Sequence, residues 1–267
     1  MIRHHFEHGT YVRELAPAEG RGTILYVHGL GESGLSLEKL IADPRLGSWH
    51  HLAPDLPGYG KSPWPAQPRK LAEHADSLAE WAVSRLSGPL VVFGHSMGGV
   101  VGLLLCETLL RGAGMEMLRG FINVEGNISI KDCAFSSKAA SDSPEDFLRH
   151  GMERLLATLY EDGAGDPAMR NYYPSVRICD PRAYHLNSTE LVALSRAEVL
   201  APRLAALEVP LVYILGQPHG TGAHSRGLLA AASVDCRAIE GAGHWPFLDQ
   251  QDAFVEEMLR FLRRLAV

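Results

Sequence analysis

Apolar runs alternate with segments of helical spacing along most of the chain. Several of the runs, such as 23–27, have no polar face, which is typical of strands that helices cover on both sides. We predict strands of this kind at 23–27, 50–55, 91–93, 121–124, 210–216 and 234–240. Apolar residues at helical spacing predict helices from 33 or 36 to 41 and at 71–86, 99–111, 224–232 and 252–265. This alternation favours an α/β fold, a mostly parallel central sheet flanked by helices.

The pattern changes in the middle of the chain. Residues 128–200 contain no long β-branched run, and they predict helices at 144–161 and near 188–195. We therefore expect one core formed by residues 1–127 and 201–267, with residues 128–200 inserted as a helical cap over the sheet. Near the start of the chain, residues 10–15 alternate apolar and polar side chains, which predicts an edge strand.

Composition and charge exclude several classes of protein. The 267 residues carry 25 basic and 31 acidic side chains, and the net charge of −6 argues against a nucleic-acid partner. The longest aliphatic stretch, 100–105, is too short to span a bilayer, and residues 1–8 lack the apolar core of a secretion signal. We therefore expect a cytoplasmic protein with no membrane partner. The four cysteines have no C-x-x-C spacing, so they indicate neither a zinc site nor a redox pair.

The apolar run 91–93 stops at a serine flanked by glycines, in Gly94-His95-Ser96-Met97-Gly98. If a strand ends here and a helix begins, Ser96 occupies the sharp turn between them, with its hydroxyl lifted clear of the sheet. A glycine two residues away on either side permits the close approach of the strand and helix backbones. The pattern alone also fits an ordinary serine in a glycine-rich turn.

A serine hydroxyl needs a neighbouring base to become a nucleophile, and the sequence holds 13 histidines. His244 stands in a glycine-rich loop, 241–246, that follows the last predicted strand and precedes the final helix. Because ligands of parallel sheets bind beyond the carboxyl ends of the strands, this loop is well placed to bring His244 to the serine. The alternative is a loop histidine without a role. We expect His28 and His95 to be structural and Asp55 to hold its turn.

Four motifs in order make the sequence resemble the serine carboxylesterases and lactonases of the α/β-hydrolase superfamily. They are Val27-His28-Gly29-Leu30-Gly31, Asp55-Leu56-Pro57-Gly58-Tyr59-Gly60-Lys61-Ser62, Gly94-His95-Ser96-Met97-Gly98-Gly99 and Gly243-His244-Trp245-Pro246. The resemblance implies the α/β-hydrolase fold, with Ser96 as the nucleophile and His244 as the base. It also implies an oxyanion hole formed by the backbone amides of Leu30 and Met97.

The third member of the triad departs from the commonest pattern of the superfamily. An aspartate usually follows the strand that here is 211–215, but this sequence continues with Gly216-Gln217-Pro218-His219-Gly220-Thr221-Gly222 and no carboxylate. Glu125 instead follows the predicted strand 121–124, which corresponds to the sixth strand of this fold. Some lipases, dehalogenases and lactone-cleaving hydrolases of similar fold use this position for the acid. The alternative for Glu125 is a helix-capping or salt-bridged carboxylate. Weaker candidates for the acid are Asp235, Glu240 and Asp249.

The sequence is thus interpreted as a serine hydrolase that cleaves a carboxylic ester or lactone with an apolar part through an acyl-enzyme. Its expected partner is that small molecule, and Gly29, Phe135, Tyr160 and Trp245 are the predicted substrate contacts. No histidine cluster has metal-ligand spacing and no nucleotide-binding glycine loop follows a strand, so we expect neither a metal nor another cofactor. The alternatives are a carbon–carbon bond hydrolase, an amidase or an acyltransferase of the same fold, and a non-catalytic ligand-binding protein.

Overall fold

The computed structural model describes residues 1–17 and 19–265. Within these residues the chain forms one eight-stranded sheet in the order β1-β2-β4-β3-β5-β6-β7-β8. The strands are β1 (Arg3–Glu7), β2 (Thr10–Leu15), β3 (Thr23–Val27), β4 (His50–Pro54), β5 (Leu90–His95), β6 (Leu118–Val124), β7 (Leu211–Pro218) and β8 (Cys236–Ala242). The six strands from β3 to β8 pair in parallel, whereas β2 pairs antiparallel with both β1 and β4. The predicted α/β fold with a mostly parallel sheet is therefore confirmed.

The place of β2 in the sheet differs from the predicted edge strand. β1, which the sequence pattern does not indicate, pairs with the outer side of β2 and forms the edge itself. The alternating pattern of β2 arises because Arg13 and Glu14 are buried charged residues rather than solvent-facing ones. Arg13 Nε donates to Glu38 Oε1 at 2.7 Å, and Glu14 Oε1 lies 2.8 Å from His50 Nε2.

Helices pack against the sheet, and both β3 and β5 are buried along their whole length. The helices of the described residues are α1 (Glu38–Ile41), α2 (Leu71–Arg85), α3 (Met97–Arg111), α4 (Ala134–Ala140), α5 (Pro144–Asp146), α6 (Met152–Asp162), α7 (Pro167–Ile178), α8 (Pro181–Arg196), α9 (Leu200–Ala205), α10 (Ala223–Ala231), α11 (Pro246–Asp249) and α12 (Gln251–Leu262). Shorter 3₁₀ turns cover Gly34–Leu37, Pro44–Leu46 and Ile130–Asp132, and a π turn covers Phe147–Gly151. None of these helices is both long and apolar enough to cross a membrane.

All regular structure described between β6 and β7 is helical, and it contains more helix than the sequence pattern indicates. The predicted helix at 144–161 corresponds to α5, the π turn and α6, and the predicted helix near 188–195 extends over all of α8. Asp166 and Asp180 start α7 and α8 by accepting hydrogen bonds from the amides of Ala168 and Arg182 at 2.8 and 2.9 Å. A proline follows each aspartate, which is a typical helix start. We use the word cap below for residues 128–200.

Candidate active site

Ser96 lies in the sharp turn between β5 and α3. Its backbone has φ 52° and ψ −120°, a conformation that costs a residue with a side chain about 1–3 kcal/mol. The Ser96 amide holds this turn by donating to the carbonyl of Val124 at 2.9 Å. A Cβ atom at Gly98 would lie only 2.1 Å from the carbonyl oxygen of Val27, so the strand and helix backbones approach too closely for a side chain there. The sequence around Ser96 therefore forms the sharp strand-to-helix turn that its glycines predict.

His244 lies in the loop between β8 and α11. Its imidazole lines the same cavity as Ser96, and its Nδ1 lies 3.4 Å from Oε2 of Glu125. Because Nδ1 faces the carboxylate, Nε2 is the ring nitrogen available to exchange a proton with a serine hydroxyl. The structure thus brings together Ser96, His244 and Glu125, the three residues that the sequence indicates as a triad.

Glu125 follows directly on β6 and also has a positive φ, of 51°. Its buried carboxylate is held by the end of β7 and by the loop after it: Oε1 accepts from the amides of Gly216 at 2.7 Å and Thr221 at 3.1 Å. Oε2 accepts from the Thr221 hydroxyl at 3.1 Å. A Cβ at Gly220 would lie 2.2 Å from Oε1, so the loop can close on the carboxylate only with glycine there. The loop that lacks the usual carboxylate therefore supplies the donors that orient Glu125.

The weaker candidates for the acid lie elsewhere. Asp235 forms ion pairs with Arg237 and Arg264, at 3.0 and 3.3 Å, and Glu240 is exposed on β8. Asp249 Oδ2 accepts from the amide of Gly243 at 2.8 Å, so it holds the loop of His244 without contacting the ring.

Two backbone amides at the carboxyl edge of the sheet are free to bind an oxyanion. Met97 is the first residue of α3, and no hydrogen bond joins its amide or that of Leu30 to another group of the described residues. The Leu30 carbonyl accepts from the Tyr172 hydroxyl of α7 at 2.7 Å, which fixes the orientation of the peptide group. A Cβ at Gly29 would lie 3.1 Å from Cβ of Ser96, so this loop passes directly beside the nucleophile.

A carboxylate that the sequence reasoning missed lies beside this loop. Glu32 is buried, and it accepts hydrogen bonds from the Gly29 amide at 2.9 Å and from the indole Nε1 of Trp245 at 2.5 Å. Its Oε2 lies 3.0 Å from Nδ1 of His95. Burial raises the pKa of Glu32, but the charge and hydrogen bond of His95, with the donors of Trp245 and Gly29, outweigh burial and lower it to about 2. The sequence signal was an acidic residue directly after the motif 27–31.

The same pair explains the position of His95, directly before the nucleophile. Burial lowers the pKa of His95, but the Glu32 carboxylate outweighs burial and raises it above its ordinary value. His95 Nε2 lies 2.8 Å from the backbone carbonyl oxygen of His244. His95 therefore packs beneath the serine turn and contacts the loop of His244, rather than acting as the base.

The cavity at Ser96 has a volume of about 30 Å³, room for about one water molecule. Its lining residues are Leu30, Glu32, Ser96, Asn127, Asp132, Phe135, Ser136, Tyr172, Leu191, His244 and Trp245. Phe135 and Trp245, two of the predicted substrate contacts, line this cavity, whereas Tyr160 does not. Tyr160 is 72% exposed on α6, packs against Tyr173 and lines a different cavity, because it lies on the outer side of the cap.

Volume alone does not locate the site. A larger cavity of about 400 Å³ lies beside α2 and contains neither Ser96 nor His244. In the described part of the chain, no group of three or more His, Cys, Asp or Glu side chains is placed to hold a metal ion. His28 and Asp55 have structural contacts: His28 Nε2 accepts from the Leu56 amide at 3.0 Å, and Asp55 accepts from the Gly34 amide at 2.8 Å.

A model of the alpha/beta hydrolase family matches residues 24–257 of this chain. Among curated proteins, the lipase LipV of Mycobacterium tuberculosis is 36% identical over 101 residues, which are 36% of this chain and 35% of the lipase. The 2-succinyl-6-hydroxy-2,4-cyclohexadiene-1-carboxylate synthase of Serratia proteamaculans is 27% identical over 258 residues, 91% of this chain and 93% of that enzyme.

Among solved structures, a mutant of the N-acyl homoserine lactonase AidH in complex with N-hexanoyl homoserine has a TM-score of 0.75. It is 21% identical in sequence, and the match covers 100% of this chain and 98% of that one. At this identity the likeness establishes the fold, and it agrees with the sheet described above.

Proposed function

The chain belongs to the alpha/beta hydrolase family, and we propose that it is a serine hydrolase that cleaves a carboxylic ester or lactone through an acyl-enzyme. One observation carries this proposal: His244 lines the cavity of Ser96, and its Nδ1 lies 3.4 Å from the buried carboxylate of Glu125. A nucleophile, a base and a group that orients the base are the requirements for serine catalysis.

In the first half of the reaction, Ser96 Oγ attacks the acyl carbon and His244 Nε2 takes the serine proton. Glu125 keeps Nδ1 protonated and stabilises the imidazolium that forms. The negative charge that develops on the acyl oxygen is stabilised by the amides of Leu30 and Met97. When the carbon–oxygen bond of the ester breaks, His244 returns the proton to the leaving alkoxide, and the acyl group stays on Ser96.

In the second half, water takes the place of the alcohol. His244 removes a proton from water, the resulting hydroxide attacks the acyl carbon, and Ser96 leaves with the proton that His244 donates. The products are a carboxylic acid and an alcohol. In a lactone the two products are one molecule, because the alcohol remains tethered to the acyl group.

The cavity walls and the relatives support an ester or lactone with an apolar part. Phe135, Tyr172, Leu191 and Trp245 contribute apolar surface on the cap side and beside His244. The proteins similar to this chain include one named a lipase and one named an N-acyl homoserine lactonase.

A non-hydrolytic reaction at the same site is the second candidate. The similarity to the synthase extends over 91% of this chain, further than the similarity to the lipase. That enzyme is named for making a cyclohexadiene carboxylate rather than for cleaving an ester.

A panel of esters and lactones tests the proposed function. Wild-type protein is expected to hydrolyse at least one short-to-long acyl ester or lactone, and Ser96→Ala to lose this activity by about 10⁴-fold or more. Ser96→Ala should keep the thermal stability of the wild type. Hydrolysis that persists in Ser96→Ala, or a folded wild type that cleaves no member of the panel, would contradict the proposal.

A further inference from the structure

Three loops of the candidate site meet at one buried carboxylate. Glu32 belongs to the loop after β3, whose Gly29 amide it binds at 2.9 Å. Its Oε2 lies 3.0 Å from His95 Nδ1, at the end of β5. Its Oε1 accepts from Trp245 in the loop after β8, the residue that follows His244. The partners of Glu32 are therefore neighbours of the proposed catalytic groups. Gly29 precedes Leu30, His95 precedes Ser96, and Trp245 follows His244.

We propose that Glu32 and His95 form a charged pair that positions the oxyanion loop and His244 against Ser96. The proposal rests on the proposed function, because it assigns these two residues a role in orienting the triad. Neither residue is proposed to react with substrate. Each acts as a positioning residue through the backbone and side chains that it holds.

The hydrogen-bond partners of His95 favour an imidazolium ring. Nε2 lies 2.8 Å from the backbone carbonyl oxygen of His244, and a carbonyl oxygen only accepts, so Nε2 carries a proton. Nδ1 lies 3.0 Å from Glu32, which receives further hydrogen bonds from N–H donors of Gly29 and Trp245. These donors, together with the Ser36 hydroxyl at 3.4 Å from Oε2, stabilise the ionised carboxylate, and Nδ1 of His95 then carries a proton as well.

The two charges also need each other. The Glu32 carboxyl group and Ser96 both lie next to Gly29. A Cβ atom placed on Gly29 would be 3.0 Å from the carboxyl carbon of Glu32 and 3.1 Å from Cβ of Ser96. A single negative charge this close to the serine would oppose the oxyanion that forms during acyl transfer. The imidazolium of His95 neutralises that charge through Nδ1, and through Nε2 it binds the backbone carbonyl of His244.

Glutamine cannot replace Glu32 in this arrangement. It offers one acceptor oxygen and an NH₂ group to a place where the donors of Gly29, His95 and Trp245 and the Ser36 hydroxyl converge, so at least one donor loses its partner. In Glu32→Gln we expect kcat to fall by about 100-fold, the effect of an ångström-scale displacement of catalytic groups, with KM little changed. Asp43→Asn is the matched control, because Asp43 is a buried carboxylate that pairs with Arg45 away from the cavity. This control is expected to keep the wild-type kcat.

Nitrogen NMR of the histidine side chains provides a second readout that does not depend on the folding of Glu32→Gln. In wild-type protein near neutral pH, the ring assigned to His95 is expected to carry protons on both nitrogens. The His95 signal can be assigned by its absence in His95→Gln. In Glu32→Gln the second proton should be lost.

The outcomes separate this proposal from the proposed function. If wild-type protein hydrolyses no ester or lactone, the proposed function fails. If wild-type protein is active but Glu32→Gln has the same kcat, or if His95 is neutral in the wild type, the positioning role is overturned while the proposed function stands.

Discussion

Ser96 and Glu125 occupy equivalent places at the ends of neighbouring strands. β5 and β6 pair in parallel as far as His95 and Val124, and the next residue in each case is Ser96 or Glu125. Both have positive φ, 52° and 51°, which is uncommon for residues with side chains and is concentrated at functional sites. We interpret this matched strain as the way in which two adjacent turns aim their side chains at one edge of the sheet.

At this scale, the prediction concerns the charge of Glu125. In Glu125→Gln, one carboxylate oxygen is replaced by an NH₂ group. This group cannot accept the hydrogen bonds that Gly216 and Thr221 donate to the carboxylate. We expect kcat to fall by about 10²–10⁴-fold, because the imidazolium of His244 loses its counter-charge and its orientation. Steady-state kinetics on the best substrate of the panel provides the measurement.

Asp235→Asn is the control for this substitution, since Asp235 pairs with Arg237 at the surface and does not contact His244. It should retain nearly the wild-type rate. If Glu125→Gln remained as active as Asp235→Asn, Glu125 would not belong to the triad.

The sequence indicates most of these residues, but for different reasons. Ser96 and His244 stand in short motifs whose glycines mark the turns, and Glu125 is indicated by the missing carboxylate after β7. Glu32 is not indicated, because its partners His95 and Trp245 lie 63 and 213 positions away in sequence. Its role exists only once three loops have come together, and no local pattern records that event.

At the scale of elements, the serine turn depends on a close approach of two backbones. A Cβ in Gly98→Ala would lie 2.1 Å from the carbonyl oxygen of Val27 and would push α3 away from β3. We expect a loss of about 3 kcal/mol or more in the free energy of unfolding, seen as a decrease in Tm of about 6 °C or more.

Gly227→Ala is the matched control, because Gly227 lies within α10 and a Cβ there would have nothing within 4 Å. Alanine favours helix over glycine, so this variant should be more stable by up to about 1 kcal/mol. Equal Tm values for the two variants would show that residue 98 tolerates a side chain and that the close approach of the backbones there does not require glycine.

The elements that the sequence indicates are those with a continuous apolar run or a clear apolar stripe. β3 and the buried centres of β5 and β6 are predicted correctly, because burial on both faces leaves few polar positions. β5 and β6 begin earlier than predicted, at Leu90 and Leu118. β1 is missed because Arg3–Glu7 carries charged and histidine side chains along a mostly exposed edge. The cap helices α4 and α7, and α9 at the end of the cap, are missed because they are short or contain a proline, such as Pro174 in α7.

At the scale of the molecule, residues of both the cap and the core line the cavity of about 30 Å³. The Tyr172 hydroxyl binds the Leu30 carbonyl at 2.7 Å, and the Tyr59 hydroxyl binds Asn187 Oδ1 at 2.6 Å. These two hydrogen bonds join the cap to the core.

Acid stability is a second property of the whole molecule. Burial lowers the pKa of His74 to about 3, and the nearby charges of His28 and Arg69 act in the same direction. In the unfolded chain a histidine binds a proton below pH about 6.5. Between these values the unfolded state holds the extra proton, so stability falls as the pH decreases, by about 2 kcal/mol at pH 5 for this residue.

His74→Leu is therefore expected to lose about 2 kcal/mol less stability between pH 7.5 and pH 5 than the wild type does. Urea unfolding at both pH values measures the difference. Substitution of the exposed His150 by glutamine should leave the pH dependence unchanged. A pH dependence in His74→Leu equal to that of wild type would show that His74 is charged in the folded protein.

The central claim is that Ser96 is an activated nucleophile, and covalent labelling tests it most directly. Wild-type protein is treated with a fluorophosphonate, digested, and analysed by mass spectrometry for the modified peptide. We predict a single adduct on Ser96, no adduct in Ser96→Ala, and slower labelling in Glu125→Gln. A folded wild-type protein that stays unlabelled, or that is labelled at another residue, would contradict the claim.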